Sequence, residues 1–321
     1  GGNGDRPEAP LPQAPSTGEV FVMRPYADME LHSYSVADPR KSWETLKATI
    51  TRCGAEVRLL PALYNGDSSS PIFVRDTGIA DAGKLLLYPD TVNSWDLKEE
   101  LESLRWFAKA DPDRLPQPRD VPGVLEGGNV VSHPVRQMYF VGITHDEAQG
   151  YLHAFGFTQN FSSGEERTKI YNREKRYHAP FYLKANKALA SETQKKVIPL
   201  YVKPEYANEF FHLDGALGVL PTGQAVVCKE VFSRTALAAL ETYIGRENMI
   251  GISLDDARRG ATNFITVGGY VITNYASAAL KETLAEIGYR AVDPTAVGLE
   301  PGAWMFGPMG AVRCATLKLT E

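Results

Sequence analysis

Gly310-Ala311-Val312-Arg313-Cys314-Ala315-Thr316 is the stretch on which the reading of this chain turns. A cysteine at the mouth of a short apolar run has two meanings. Most free cysteines are small buried hydrophobes. A cysteine becomes a nucleophile when a cationic neighbour or a cationic substrate favours its thiolate. The residues just upstream, Phe306-Gly307-Pro308-Met309-Gly310, suit the second meaning, because glycines let backbone approach a bound molecule closely.

Three segments further upstream each supply an ionisable group of the kind such a thiol needs. They are Phe73-Val74-Arg75-Asp76, Leu125-Glu126-Gly127-Gly128-Asn129 and Phe211-His212-Leu213-Asp214. His212 and Asp214 are two apart on a segment read as extended, so both point to one face. They offer either a general acid/base with a carboxylate or two polar residues facing water. Glu126 and Asp76 each end an apolar run, where an unpartnered carboxylate is costly to bury. With Cys314 these residues make a nucleophile, an acid/base and a set of carboxylates. That set suits attack at the carbon of a guanidinium, a planar cation whose N–H groups match bidentate carboxylates.

The other two cysteines, Cys53 and Cys228, end a helical and an apolar segment and read as structural. No CxxC spacing or paired Cys/His run is present, so neither a metal nor a disulfide framework is expected, and no organic cofactor is called for. The chain has 321 residues, 43% hydrophobic and 23% charged, with a net charge of −5. This is ordinary globular composition. Its basic clusters are too short to recruit nucleic acid or an anionic membrane. No apolar run reaches the roughly 18 residues of a membrane span. Residues 1–18, rich in Gly and Pro, read as a disordered leader or a remnant of expression, with one domain over 19–321. A cytoplasmic protein is favoured, with secretion after loss of a signal as the alternative, and a homodimer is compatible with either.

Hairpins and helices alternate about five times along the rest. Strands are expected at Val20–Met23, Glu56–Leu60, Pro71–Asp76, Lys84–Tyr88, Val124–Val131 and Gln137–Val141. Helices are expected at Ser42–Cys53, Asp96–Ala110, Ser233–Ile244 and from Ser277 to Ile287, the last capped by Ser277 and stopped by Gly288. Phe264–Val267 and Tyr270–Ile272 read as a hairpin, and Ala311–Leu319 as the last strand. The polar, basic and aromatic stretch from about 160 to 194 reads as an insertion, either a surface helix pair or a lid.

Five pieces in order, Phe73-Val74-Arg75-Asp76, Glu126-Gly127-Gly128-Asn129-Val130, His212-Leu213-Asp214, Ala261-Thr262-Asn263-Phe264 and Gly310 to Thr316, resemble the guanidino-modifying enzymes, or penteins. That group includes arginine deiminases, dimethylarginine dimethylaminohydrolases and amidinotransferases. The resemblance spans most of the chain from about residue 19. It implies a five-bladed α/β propeller, with no cofactor and a small guanidino substrate. Cys314 is expected to attack the guanidinium carbon, and His212 to protonate the departing amine and then activate water. Asp76 and Asp214 are expected to hold the guanidinium nitrogens, and Glu126 to bind guanidinium or orient His212. Arg75, Asn129, Asp146 and Arg313 complete the expected substrate contacts.

Two departures bear on the substrate. The family's Gly-Gly-Asp is Gly127-Gly128-Asn129, and Asp146 stands where deiminases tend to carry an arginine for a free α-carboxylate. An aspartate there repels a carboxylate and accepts an amine, so the substrate's far end is expected to differ from free arginine, unless Arg167 or Arg173 restores the charge. The leading expectation is a cysteine-dependent hydrolase acting through a thiouronium. An amidinotransferase uses the same intermediate, and Arg313 leans toward the deiminase side. A binding protein that keeps only the pocket is the third reading.

Overall fold

A computed structural model describes residues 11, 13–25, 36–61, 74–81, 83–89, 95–123, 125–144, 184–207, 209–306 and 310–319. Within them lie five small mixed sheets of three strands each, and every sheet repeats one plan. In four of them a strand turns back in an antiparallel hairpin, and a helix then carries the chain over to a third strand parallel to the second; in the other, residues 317–318 supply the antiparallel strand.

In the first sheet, β1 (Val20–Met23) crosses through α1 (Pro39–Arg52) to β2 (Glu56–Leu59). The second has β3 (Gly78–Asp81), β4 (Lys84–Leu87), α2 (Trp95–Ala110) and β5 (Gln117–Asp120). The third has β6 (Val130–His133), β7 (Met138–Thr144), α3 (184–193) and β8 (Lys196–Val202). The fourth has β9 (Leu217–Val219), β10 (Ala225–Val227), α4 (Arg234–Tyr243) and β11 (Met249–Gly251). The fifth has β12 (Ile265–Val267), β13 (Tyr270–Ile272), α5 (Ala278–Glu286) and β14 (Arg290–Val292). The last strand, β15 (Leu317–Lys318), returns to the first sheet and pairs antiparallel with β1, Phe21 opposite Lys318. The two ends of the domain are thereby tied in one sheet.

Local chemistry explains these elements. Asp38 caps α1 by accepting from Lys41 N at 3.0 Å, Pro39 takes the first helical position, and Trp43, Leu46 and Ile50 form the buried stripe. Ser233 and Ser277 cap α4 and α5 in the same way. The core is a series of clusters, each filling the space between a helix, its sheet and a neighbour. Trp43, Leu46 and Ile50 meet Phe21, Trp304 and Phe306, while Leu101 and Leu104 of α2 meet Leu85, Leu87 and Val22.

Several expected boundaries move. Val74–Thr77 is a 3-10 turn rather than the end of a strand, Gly127–Asn129 is another, and Leu213–Gly215 is a third. Only Leu317–Lys318 of the expected last strand pairs, and Val312–Ala315 form turns. The apolar residues of these segments are buried as a strand's would be, but their backbone turns to present side chains at the sheet ends. Residues 184–193, the end of the expected insertion, form the crossover helix of the third sheet, with Ala185 and Leu189 in the core. Tyr171, Tyr177, Phe181 and Tyr182 lie outside the described residues. No helix among the described residues is long and apolar enough to cross a membrane.

Candidate active site

Each of the three 3-10 turns stands directly before the first strand of its sheet, the turn around Cys314 stands before β15, and Asn263 occupies the equivalent place before β12. Repetition of one local plan therefore delivers one or two candidate side chains from each of five sheets. Turn–turn contacts bring Val74–Thr77, Gly127–Asn129 and Leu213–Gly215 together.

Gly127 and Gly128 make this approach feasible. A Cβ on Gly127 would fall 2.0 Å from the carbonyl oxygen of Arg75, and one on Gly128 would fall 2.8 Å from both Asp76 Oδ1 and His212 Nδ1. Only glycine lets the two turns pass so closely. The Gly128 N–H then donates to Asp76 Oδ1 at 2.9 Å.

His212 sits between two carboxylates. Its Nε2 hydrogen-bonds Glu126 Oε2, and its Nδ1 lies 3.8 Å from Asp76 Oδ1. Burial works against the imidazolium, but the charges of Asp76 and Glu126 outweigh it and raise His212 from 6.5 to about 10. Burial also raises Asp76 to about 6, against the downward pull of the cationic His212, with Glu126 and Asp214 adding repulsion. At neutral pH the pair is an imidazolium held among carboxylates, as expected for a proton donor.

Cys314 is buried beside Asp214 and Asn263. Its Sγ accepts from Asn263 Nδ2 at 3.0 Å and stands 3.6 Å from Asp214 Oδ2. Burial first, then Asp214 and Asp76, push the thiol well above its ordinary value, while Asn263 and Arg313 pull the other way. The protein without a substrate thus holds a protonated thiol. A cation placed among these carboxylates reverses the sign of their effect and favours the thiolate.

Asp214 is also asymmetric. Oδ2 accepts from Arg313 Nη1 at 2.7 Å, whereas the buried Oδ1 has no hydrogen-bond partner among the described residues. A buried carboxylate oxygen left open beside a thiol is suited to a ligand N–H.

The five expected catalytic residues, Cys314, His212, Glu126, Asp214 and Asp76, are brought into one cluster through these contacts. Three expected substrate contacts have other work. Asn129 is buried, donating to Gly142 O at 2.7 Å and accepting from Leu213 N at 3.2 Å. An aspartate could not make the first of these bonds, which accounts for asparagine after Gly127-Gly128. Arg313 donates to Asp214, to Val130 O at 2.7 Å and to Gly127 O at 3.5 Å, so it fixes protein groups. Arg75 donates its backbone N–H to Cys314 O at 3.2 Å, interacts electrostatically with Asp214, Cys314 and Asp76, and also lines a cavity that none of those three lines. Asp146, Arg167 and Arg173 lie outside the described residues.

Asn263 had no expected role of its own. Its Oδ1 accepts from the backbone N–H of Arg313 and of Cys314 while its Nδ2 donates to the thiol. Its place in Ala261-Thr262-Asn263-Phe264, an apolar run ending in a polar residue before a strand, was the available signal. Cys53 and Cys228 are buried, and burial raises both thiols, Cys53 to about 12. Among the described residues no group of three or more His, Cys, Asp or Glu is arranged to hold a metal ion.

This chain superposes on the N-terminal domain of ArgZ, an arginine dihydrolase of cyanobacteria solved with its substrate, with a TM-score of 0.69 and 19% identity over 94% of this chain and 98% of that one. It also superposes on a dimethylarginine dimethylaminohydrolase, with a TM-score of 0.59 and 15% identity over 94% and 99% of the two chains. The fold is the one these two solved enzymes share. In sequence, the chain is 28% identical over 302 residues to ArgZ of a Synechocystis species, a bifunctional arginine dihydrolase/ornithine cyclodeaminase, covering 94% of this chain and 36% of that protein. It is 32% identical over 115 residues to AgrE of a Nostoc species, of the same description, covering 36% of this chain and 15% of that protein. The chain therefore spans about a third or less of the length of these curated relatives. No family model matches it.

Proposed function

We propose that the protein is a cofactor-independent hydrolase that cleaves a C–N bond of a guanidinium group through a covalent Cys314 thiouronium. The observation that carries this is the open Oδ1 of Asp214 beside the thiol, within a cluster that also holds Asp76, Glu126 and a cationic His212. In this reading the five sheets are blades of a pentein propeller, and the turns before their first strands meet at its centre.

The guanidinium enters among Asp214, Asp76 and Glu126, and its N–H groups donate to carboxylate oxygens there, the open Oδ1 of Asp214 among them. Its charge lowers the thiol's pKa, the thiol's proton passes to solvent, and the substrate thereby generates its own nucleophile. Cys314 Sγ forms a bond to the guanidinium carbon. Collapse breaks one C–N bond, and the departing nitrogen takes the His212 proton. The neutral His212, kept basic by Glu126 and Asp76, removes a proton from water as its oxygen attacks the thiouronium. The second collapse breaks the C–S bond and returns the thiol, with the carbonyl product bearing the new oxygen. The relatives solved with substrate and with a covalently bound reaction intermediate support this order of events.

Asp146, read from sequence as facing the substrate's far end, supports a tail without a free carboxylate. The test is mass spectrometry of products from arginine, agmatine, methylated arginines, an arginine peptide and guanidinoacetate, each with and without glycine. The expected result is a ureido product that Cys314→Ala does not form. Amidine appearing on glycine would assign the transferase branch, and turnover unchanged in Cys314→Ala would overturn the covalent reading.

A further inference from the structure

A cavity of about 320 Å³ takes its wall from all five sheets and is distinct from the thiol cluster, since none of Cys314, His212, Asp76, Glu126 or Asp214 lines it. Much of the wall is apolar, including Phe21, Ile79, Val131, Val219, Phe264 and Ile265. Among the described residues its ionisable lining is cationic apart from the phenol of Tyr139: Arg75, Lys195, Arg313 and Lys318, with no carboxylate.

Three of these cations have partners. Lys195 meets Asp81 at 2.7 Å, Lys318 meets Glu19 at 2.6 Å, and Arg313 meets Asp214. None of those carboxylates lines the cavity. Arg75 differs, forming no ion pair among the described residues, and its buried Nε has no hydrogen-bond partner. Burial is costly for this guanidinium and the charges of Asp214 and Asp76 offset it only in part, so an anion placed against it lowers the cost. Serine, threonine and glutamine at Ser132, Thr266 and Gln137 add groups able to bond an anion's oxygens.

We propose that this cavity binds a small organic carboxylate with an apolar body, its carboxylate toward Arg75 and its body against the aromatic and aliphatic wall. The volume fits one such molecule. The site is separate from the guanidinium cluster and opposite to it in charge preference, so its occupant is an anion where the reaction's substrate is a cation. Because Arg75 and Arg313 border both regions, and Arg75 is bonded to the Cys314 backbone, the two occupants share a partition.

The test uses calorimetry on the full chain with phenylacetate and, as its uncharged counterpart, phenylacetamide. The expected result is one phenylacetate per chain, bound about tenfold or more tightly than the amide. Binding should persist in Cys314→Ala and in the presence of saturating agmatine or arginine. Lys318→Gln should weaken it several-fold at least, on the order of one lost charge contact. Thr266→Trp and Val219→Phe, which fill the cavity away from the thiol, should abolish it while circular dichroism and any guanidino turnover remain. Equal binding of acid and amide would overturn the proposal. So would competition with the guanidino compound, binding retained in both cavity-filling variants, or no heat from folded protein at tens of millimolar phenylacetate.

Discussion

Asn263 and Cys314, 51 residues apart in sequence, are joined by a 3.0 Å bond from the amide Nδ2 to the thiol Sγ. The same amide's oxygen accepts the backbone N–H groups of Arg313 and Cys314. One side chain thus shapes the turn and supplies a neutral donor to the sulfur. Donation to a thiolate is stronger than to a thiol, so the bond favours the charged nucleophile.

Asn263→Asp tests that role. It keeps the oxygen that holds the turn, loses the donor and adds repulsion next to the sulfur. The expected result is an unchanged fold, a thiol pushed further up, and turnover lowered about tenfold to a hundredfold, measured by steady-state kinetics and by the pH dependence of alkylation.

Alkylation itself should distinguish charge. In the protein without substrate, burial and two carboxylates keep Cys314 protonated at neutral pH, so neutral iodoacetamide reacts slowly with it. A haloacetamidine, whose cation mimics the guanidinium, should label Cys314 faster than iodoacetamide at pH 7, and agmatine or arginine should protect it. Mass spectrometry of the labelled peptide reads the outcome; equal rates for the two reagents would count against the electrostatic account.

His212 carries a stability signature. Its value is raised in the folded protein to about 10 from 6.5, so the folded state binds the proton more tightly than the unfolded one. The resulting stabilisation is full below about pH 6.5 and disappears as pH rises through 10. Glu126→Gln removes one source of the shift. Its His212 should titrate at lower pH by NMR, and its alkaline loss of stability should begin earlier than in the native protein.

Arg313→Met should cost about 3 kcal/mol or more in denaturant unfolding, because Asp214 is 1% exposed at its side chain and would lose its cationic partner. Adding Asp214→Leu should recover part of that loss, since the isolated buried carboxylate is then gone. Full stability in Arg313→Met alone would show that the pair contributes nothing.

Much of this arrangement was legible along the chain. Val20–Met23 has the expected bounds, the hairpin around Gly268-Gly269 pairs as expected, and Ser277 caps its helix. These depend on short-range chemistry: alternation of apolar residues, a hydroxyl before a helix, glycine at a turn. The site turns were harder to read. Val74, Leu125 and Leu213 are apolar and buried, so their segments resembled strands, but the backbone at Asp76, Gly128 and Asp214 forms 3-10 turns that pack against one another, a long-range contact no local pattern shows.

The sequence by itself determined the inventory: a cysteine after a glycine-rich stretch at the mouth of an expected strand, a histidine two residues before an aspartate, a glutamate before two glycines, and the repeated order of hairpin and helix. Residue type and spacing suffice for that, since they act over a few residues. Only the tertiary structure decided which polar groups serve the site and which serve the frame. Asn129 and Arg313 lie within the same motifs as the reactive groups, yet their hydrogen bonds go to Gly142, Leu213, Val130 and Asp214. Asn263 gained its importance by the reverse route, through contact with a sulfur far along the chain. Such partners are set by how five sheets pack together, and the charge of each group follows from burial and neighbours that no local pattern contains.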